Sequence, residues 1–171
     1  MQNNYYDHYF QDYTAKSFDG ALSWQWMKAM ALAESGLDPE AVSPAGAVGV
    51  MQLIPGTSKW MAGKLGIMHS PLTPHLNIHM GVAFARYCFD IWKKETGVER
   101  IRFMLGSYNA GAGRILKAQH LADQDGLATD RWTSIATCLP QVTGRHARET
   151  ITYVSRVEAY HKQLISEGES A

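Results

Sequence analysis

Cross-linking chemistry is nearly missing from this sequence: two cysteines, Cys88 and Cys138, stand among 171 residues. That excludes a disulfide-stapled scaffold. Their spacing fits no metal or redox motif, so both are expected as free, buried thiols, and the redox compartment stays open. An excess of one charge sign is missing too. Lysine plus arginine number 16 and aspartate plus glutamate 16, for a formal net charge of zero. Without a basic footprint no nucleic-acid partner is expected, and no polybasic cluster is present to hold a membrane surface. No run approaches the roughly 18 uninterrupted apolar residues of a spanning helix. The opening Met1-Gln2-Asn3-Asn4-Tyr5-Tyr6-Asp7-His8 has neither a basic nor an apolar targeting stretch. No secretory signal is expected in this chain, which leaves a cytoplasmic protein or a domain cut from a longer exported one.

What is present is a globular composition, 46% hydrophobic and 19% charged, on a chain of one domain's length. Area scaling lets such a chain bury roughly 70% of its extended surface without metals or cross-links. No repeat, low-complexity run or linker interrupts it, so residues 1–171 are expected to form a single domain. Apolar residues recur at helical steps over most of the length. Trp24, Met27, Met30 and Ala31 mark a helix from Trp24 to Glu34, stopped by Gly36 as a left-handed cap and by Pro39. Ile78, Val82, Ala85, Phe89 and Trp92 predict a second over 77–95. Ile101 and Leu105 predict a third over 99–108, and a fourth follows Gly113 through Leu116. Ile151, Val154, Val157, Tyr160 and Leu164 predict a last helix over 148–165. Only 43–55 differs, where Gly46 and Gly49 with alternating Val48, Val50 and Leu53 predict a short hairpin or irregular ribbon. The fold class expected is mostly α (α+β).

Chemistry concentrates between Ala31 and Thr57. Glu34 follows a run of alanine, leucine and methionine, so its carboxyl is expected to be at least partly desolvated, and it lies where the helix dipole is negative. Both effects favour the protonated acid and raise its expected pKa, which is what protonating a glycosidic oxygen requires. From periodicity alone, a solvated surface glutamate is an equal alternative. The flanking residues add to this. Glu34-Ser35-Gly36-Leu37-Asp38-Pro39, then the run from Ser43 through Gly46, Gly49, Met51 and Gln52 to Thr57, resembles the signature of the lytic transglycosylases of the goose-type-lysozyme-like superfamily. Gly106-Ser107-Tyr108-Asn109-Ala110-Gly111 is similar to that family's Ala-Tyr-Asn-Ala-Gly motif. Leu139-Pro140 and Arg148-Glu149-Thr150-Ile151-Thr152-Tyr153-Val154 resemble its third block. Asp130-Arg131-Trp132 leading to Leu139-Pro140 is similar to the catalytic module of the membrane-bound transglycosylases of the F type. The three blocks span Glu34 to Val154.

The resemblance implies a lysozyme-like fold, with helical lobes around a substrate cleft and a small β-hairpin. It implies peptidoglycan glycan strands as the partner, a monomer, and no cofactor or metal. Glu34 matches the single catalytic acid/base. Ser43 and Gln52 match positions that hydrogen-bond the N-acetylmuramic acid residue. Tyr108 and Asn109 match the cleft wall opposite the glutamate, Glu149 a second cleft glutamate, and Tyr153 the aromatic after it. Glu149 has the plain alternative of an acid favouring the start of the last helix. Two positions depart from the pattern: Ile54 stands where many soluble members carry methionine, and Ser107 where alanine is usual. The implied reaction is non-hydrolytic cleavage of the N-acetylmuramic acid–N-acetylglucosamine β-1,4 bond, giving a 1,6-anhydro end. The substrate implies the periplasm or cell envelope, reached within a longer chain or through a phage or secretion system. A hydrolytic lysozyme or chitinase on the same scaffold, and a silent peptidoglycan-binding module, are the alternatives.

Remaining signals have bland readings. His75 and His79 are four apart, but Leu76 replaces the glutamate of a zinc-protease motif and no third ligand is spaced to join them. Gly111-Ala112-Gly113 lacks the third glycine and the preceding strand of a dinucleotide loop. Asp38, before Pro39, is expected to shape the turn rather than act as a second carboxylate. Trp92 is expected in the core, while Trp60 is open between core and sugar stacking.

Overall fold

A computed structural model describes residues 4–168. Among the described residues there are eight α-helices, α1 (Asp7–Phe18), α2 (Trp24–Ser35), α3 (Pro55–Leu65), α4 (Pro74–Ile91), α5 (Gly97–Ala110), α6 (Ala112–Gln124), α7 (Trp132–Thr143) and α8 (Ala147–Gly168), with one long connection between α2 and α3. A 3-10 turn, Gly144–His146, precedes α8. No helix among the described residues is long and apolar enough to cross a membrane. The chain packs as two compact units, Met1–Arg86 with Val157–Ala171, and Tyr87–Arg156. The unit boundaries fall inside α4 and inside α8.

In the first unit α1 packs on α2. Of the stripe Trp24, Met27, Met30 and Ala31, the last three are fully buried and Trp24 is half-buried, while Trp26, Lys28, Ala29 and Ala33 are buried too, so α2 is enclosed on nearly every side from Trp26 onward. Lys28, only 2% exposed, is neutralised by Asp7 at 2.6 Å and donates to Asn4 Oδ1 at 3.1 Å. A buried ammonium without such partners would be strongly destabilising. α2 stops where the sequence places the stop: Gly36 has φ +66° and its N–H bonds the Leu32 carbonyl. At the far end of the chain His161 stacks on Trp26 with ring centroids 3.6 Å apart.

The expected hairpin is corrected. Among the described residues 43–55 hold no strand, only the isolated antiparallel bridges Val42–Val48 and Val48–Leu53. The backbone reverses too often for a ladder. Gly46 and Gly49 both have φ +78° and Gln52 has φ +46°, whereas paired strands need successive extended residues. This ribbon is held instead by Asn77, fully buried at the start of α4. Its Oδ1 accepts the Met51 N–H at 2.7 Å, and its Nδ2 donates to the carbonyls of Val48 (3.0 Å) and Pro71 (2.8 Å). Gly49 is needed for this approach: a Cβ there would lie 2.5 Å from Asn77 Nδ2.

In the second unit α5, α6 and α7 pack on one another around Phe103, Leu105, Ile115, Ala118, Ile135 and Leu139, all fully buried. Trp132 lies against Gly106, where a Cβ would come 2.6 Å from the indole ring. Trp92 is in the core as expected, and its indole N–H donates to Ser107 Oγ at 2.8 Å. Glu99 Oε2 accepts the Trp132 N–H at 2.6 Å, satisfying one of the open donors at the start of α7. Both cysteines are free and buried. Burial pushes the Cys88 thiol up to about 12 and raises Cys138, with Asp125 adding to the effect.

Candidate functional site

Glu34 lies in the last turn of α2, half-buried. The next residue ties this helix end to the ribbon, because Ser35 Oγ donates to the Val50 carbonyl at 2.8 Å. Asp38 does what its place before proline suggests: its Oδ1 accepts the Glu40 N–H at 2.8 Å, closing a local turn. Ser43 Oγ accepts the Ala47 N–H at 3.0 Å, while the Ser43 N–H bonds the Ala47 carbonyl. Gln52 spends its Nε2 on the carbonyls of Ala41 and Gly49, both at 3.0 Å. Both polar side chains predicted to touch sugar are therefore also parts of the ribbon. By their donor and acceptor inventory, the Ser43 hydroxyl hydrogen and the Gln52 amide oxygen remain for other partners.

The second unit holds the other predicted residues. Tyr108, in the last turn of α5, is 9% exposed. Asn109 follows it half-buried, and its Oδ1 accepts the Thr150 hydroxyl hydrogen at 2.8 Å. Asn109 and Glu149 line one cavity of about 410 Å³ together with Arg114, Val142, Thr143 and His146. Arg114 Nη1 donates to the Ala110 carbonyl at 2.7 Å, fixing the joint between α5 and α6. The Glu149 side chain is 71% exposed, 3.9 Å from His146 Nδ1, a separation and exposure at which an ion pair contributes little. Tyr153, one turn further along α8, is 2% exposed.

Three contributors were not singled out in the sequence. Thr150 stands within a quoted block, so a signal existed. Arg114 is separated from the Tyr-Asn pair by only a few residues, and its carbonyl partner had no signal. Asn77 is an ordinary residue 26 positions from Met51, and nothing local marks it. Among the described residues no group of three or more His, Cys, Asp or Glu is placed to hold a metal. His79 stacks face-to-face on Tyr13 at 4.2 Å, and burial, then Lys16 and His75, lower its pKa. Trp60 is 43% exposed, with its ring edge on Phe84 and Lys64 over its face.

A membrane-bound lytic murein transglycosylase F of Vibrio cholerae serotype O1 is 30% identical over 168 residues, covering 91% of this chain and 30% of that protein. The corresponding protein of Photobacterium profundum is 28% identical over 162 residues, covering 88% of this chain and 30% of that one. This chain thus spans about a third of the length of the curated relatives it matches. The 70-kDa soluble lytic transglycosylase of Escherichia coli superposes with a TM-score of 0.72 at 25% identity, covering 94% of this chain and 24% of that one. A complex of a 70-kDa soluble lytic transglycosylase with bulgecin A shares the fold, at TM-score 0.74 and 24% identity over 95% of this chain and 25% of that one. The lysozyme-like, mainly helical fold is shared with these structures. The family model for the transglycosylase SLT domain matches residues 13–129, most of the chain, and the protein belongs to that family.

Proposed function

We propose that this chain cleaves the β-1,4 bond between N-acetylmuramic acid and N-acetylglucosamine in peptidoglycan without water, with Glu34 as the single acid and base. The observation that carries the reading is the family match over 13–129, which includes Glu34 in the final turn of α2 and the ribbon beside it. The negative end of a helix disfavours an anion there, a direction that suits the proton donor the first step needs. Glu34 gives its proton to the bridging oxygen as the C1–O bond breaks, and N-acetylglucosamine leaves with a free hydroxyl. The acetamido oxygen of the muramic residue stabilises the electron-poor C1. Glu34, now a carboxylate, removes the proton of the C6 hydroxyl as its oxygen bonds C1. The 1,6-anhydro ring closes and the acid is restored. A hydroxyl already held beside the reacting carbon has a large effective-molarity advantage over bulk water. Ser43, Gln52, Tyr108, Asn109, Glu149 and Tyr153 are the glycan-binding residues in this reading. The substrate places the reaction in the periplasm or cell envelope.

The deciding experiment compares the parent and Glu34→Gln on purified sacculi, with product masses. The parent should release muropeptides one water lighter than reducing-end products, and the variant should lose about 10²-fold or more in rate, as when a general acid is removed. Reducing-end products would assign a hydrolase. Binding without turnover in the parent would assign a silent wall-binding module, and an unimpaired variant would remove Glu34 from the chemistry.

A further inference from the structure

A short hydroxyl side chain inside a helix has an acceptor close at hand, the carbonyl four residues back. Thr137 and Thr143 of α7 and Ser155 of α8 all use it, at 2.9, 3.2 and 3.2 Å. Thr150, in the opening turn of α8 and only 3% exposed, departs from this habit. Its hydrogen crosses to α5 and is given to Asn109 Oδ1 at 2.8 Å. That bond gives a direction to a group that otherwise has none. A carboxamide carries an acceptor oxygen and a donor nitrogen of nearly equal size, so an unheld one can present either. With Oδ1 committed to Thr150, the end that remains is Nδ2 with its two hydrogens. Asn109 is half-buried on the wall of the cavity of about 410 Å³, and among the described residues its Nδ2 has no hydrogen-bond partner. Arg114 lines the same cavity and has donors only, and it occupies the Ala110 carbonyl beside it. The α5–α6 side of the cavity therefore offers hydrogens and no free side-chain acceptor.

We propose that Thr150 is a positioning residue: it aims the Asn109 amide so that this wall selects a ligand oxygen, the acetamido carbonyl of an N-acetylated sugar. A sugar hydroxyl both gives and takes a hydrogen and would fit either end of the amide, whereas a carbonyl oxygen only accepts and needs the nitrogen end turned toward it. Removing the acetyl group leaves an ammonium, which only donates and would meet Nδ2 hydrogen against hydrogen. The direction of the amide follows from the Thr150 bond alone, whereas assigning the oxygen to a sugar rests on the transglycosylase reading.

The test reads affinity without turnover, titrating the full chain with chitotetraose and with its fully de-N-acetylated counterpart, by calorimetry and by the Asn109 side-chain amide resonances. The parent should prefer the acetylated tetramer by about tenfold or more, the effect of replacing one hydrogen bond by two opposed donors, and the Asn109 Nδ2 hydrogens should shift as it binds. Thr150→Val keeps the shape and removes the hydroxyl, so the amide can turn over and the preference should fall to about threefold or less. Thr150→Ser keeps the hydroxyl and should keep the parent's preference. A residue serving packing alone would weaken both tetramers together and leave their ratio where it was. A parent without preference or without binding, Asn109 hydrogens that do not shift, an unchanged ratio in Thr150→Val, or a collapsed ratio in Thr150→Ser would each overturn the proposal. The first two outcomes are read on the parent, so they decide the matter even where a variant fails to fold. Anhydro ends released from sacculi beside an unchanged ratio sink this inference alone. A ratio that collapses in Thr150→Val beside a parent that yields no anhydro product sinks the transglycosylase reading and leaves this one standing.

Discussion

The ribbon beside Glu34 and the corner around Asn109 are built in opposite ways. In the ribbon, polar side chains grip backbone: Asn77 holds Met51, Val48 and Pro71, Gln52 holds Ala41 and Gly49, and Ser35 holds Val50. In the corner a single backbone carbonyl is held, that of Ala110 by Arg114, and otherwise one side chain grips another, Thr150 on Asn109, while the nearby charged pair is long and exposed. Backbone held from several directions cannot drift when one contact is lost. A side chain held once can turn. The ribbon therefore gives the proposed acid a fixed frame, and the corner rests on fewer contacts.

The largest effect should come from filling the space the ribbon leaves open. Gly49→Ala combines a left-handed backbone with a contact of 2.5 Å, so denaturant unfolding should show a loss of about 4 kcal/mol, from strain and overpacking together. A loss below about 1 kcal/mol would mean that the ribbon yields easily, and the contrast would fail. Asn77→Ala removes three hydrogen bonds and leaves the buried Met51 N–H without this acceptor, and should cost about 3 kcal/mol. It should also lower the cleavage rate, although Asn77 is not a proposed substrate contact. In the corner, Thr150→Val should cost about 1 kcal/mol and raise KM more than it lowers kcat. Removing the exposed pair through His146→Ala should change stability by less than about 0.5 kcal/mol.

A pH-dependent signal separates the two units. Both cysteines lie in Tyr87–Arg156, so thiol labelling reports the opening of that unit alone. With Cys88 pushed up to about 12, its thiolate fraction at pH 8 is on the order of 10⁻⁴ in the folded state, and native protein should label only as it opens. The sign is fixed. A folded pKa above the unfolded value of about 8.5 leaves stability intact below that pH and erodes it as pH rises toward 12. Unfolding curves that did not shift between pH 8 and pH 10 would place Cys88 in a wetter environment.

How much of this was readable depended on how local the cause was. The end of α2 was legible because Gly36 carries its own signal and the Met27–Ala31 stripe surrounds it. α4 was found but displaced: it starts at Pro74 and stops at Ile91, because proline suits a first turn while Trp92 packs into the core after the helix has ended. α1 was not singled out, since its buried positions are Phe10, Thr14 and Phe18, too few and too mixed to read as an apolar stripe. Of the two readings of 43–55 the irregular ribbon matches what is seen, and nothing in the alternating Val48, Val50, Leu53 pattern marks the left-handed backbone of Gln52. In the site, Glu34 and the Tyr108-Asn109 pair were named from short contiguous blocks. The grip of Asn77 on Met51 joins residues 26 apart and depends on tertiary packing that local pattern does not encode.

The indole of Trp92 and the hydroxyl of Ser107 meet inside the second unit, just before Tyr108. Their bond couples the two positions. A homologue with alanine at the serine's place, keeping the tryptophan, would strand a hydrogen with no acceptor in a dry interior. Such lineages should have exchanged the ring as well, for phenylalanine or leucine, so an odd residue beside the tyrosine records a choice made fifteen positions upstream.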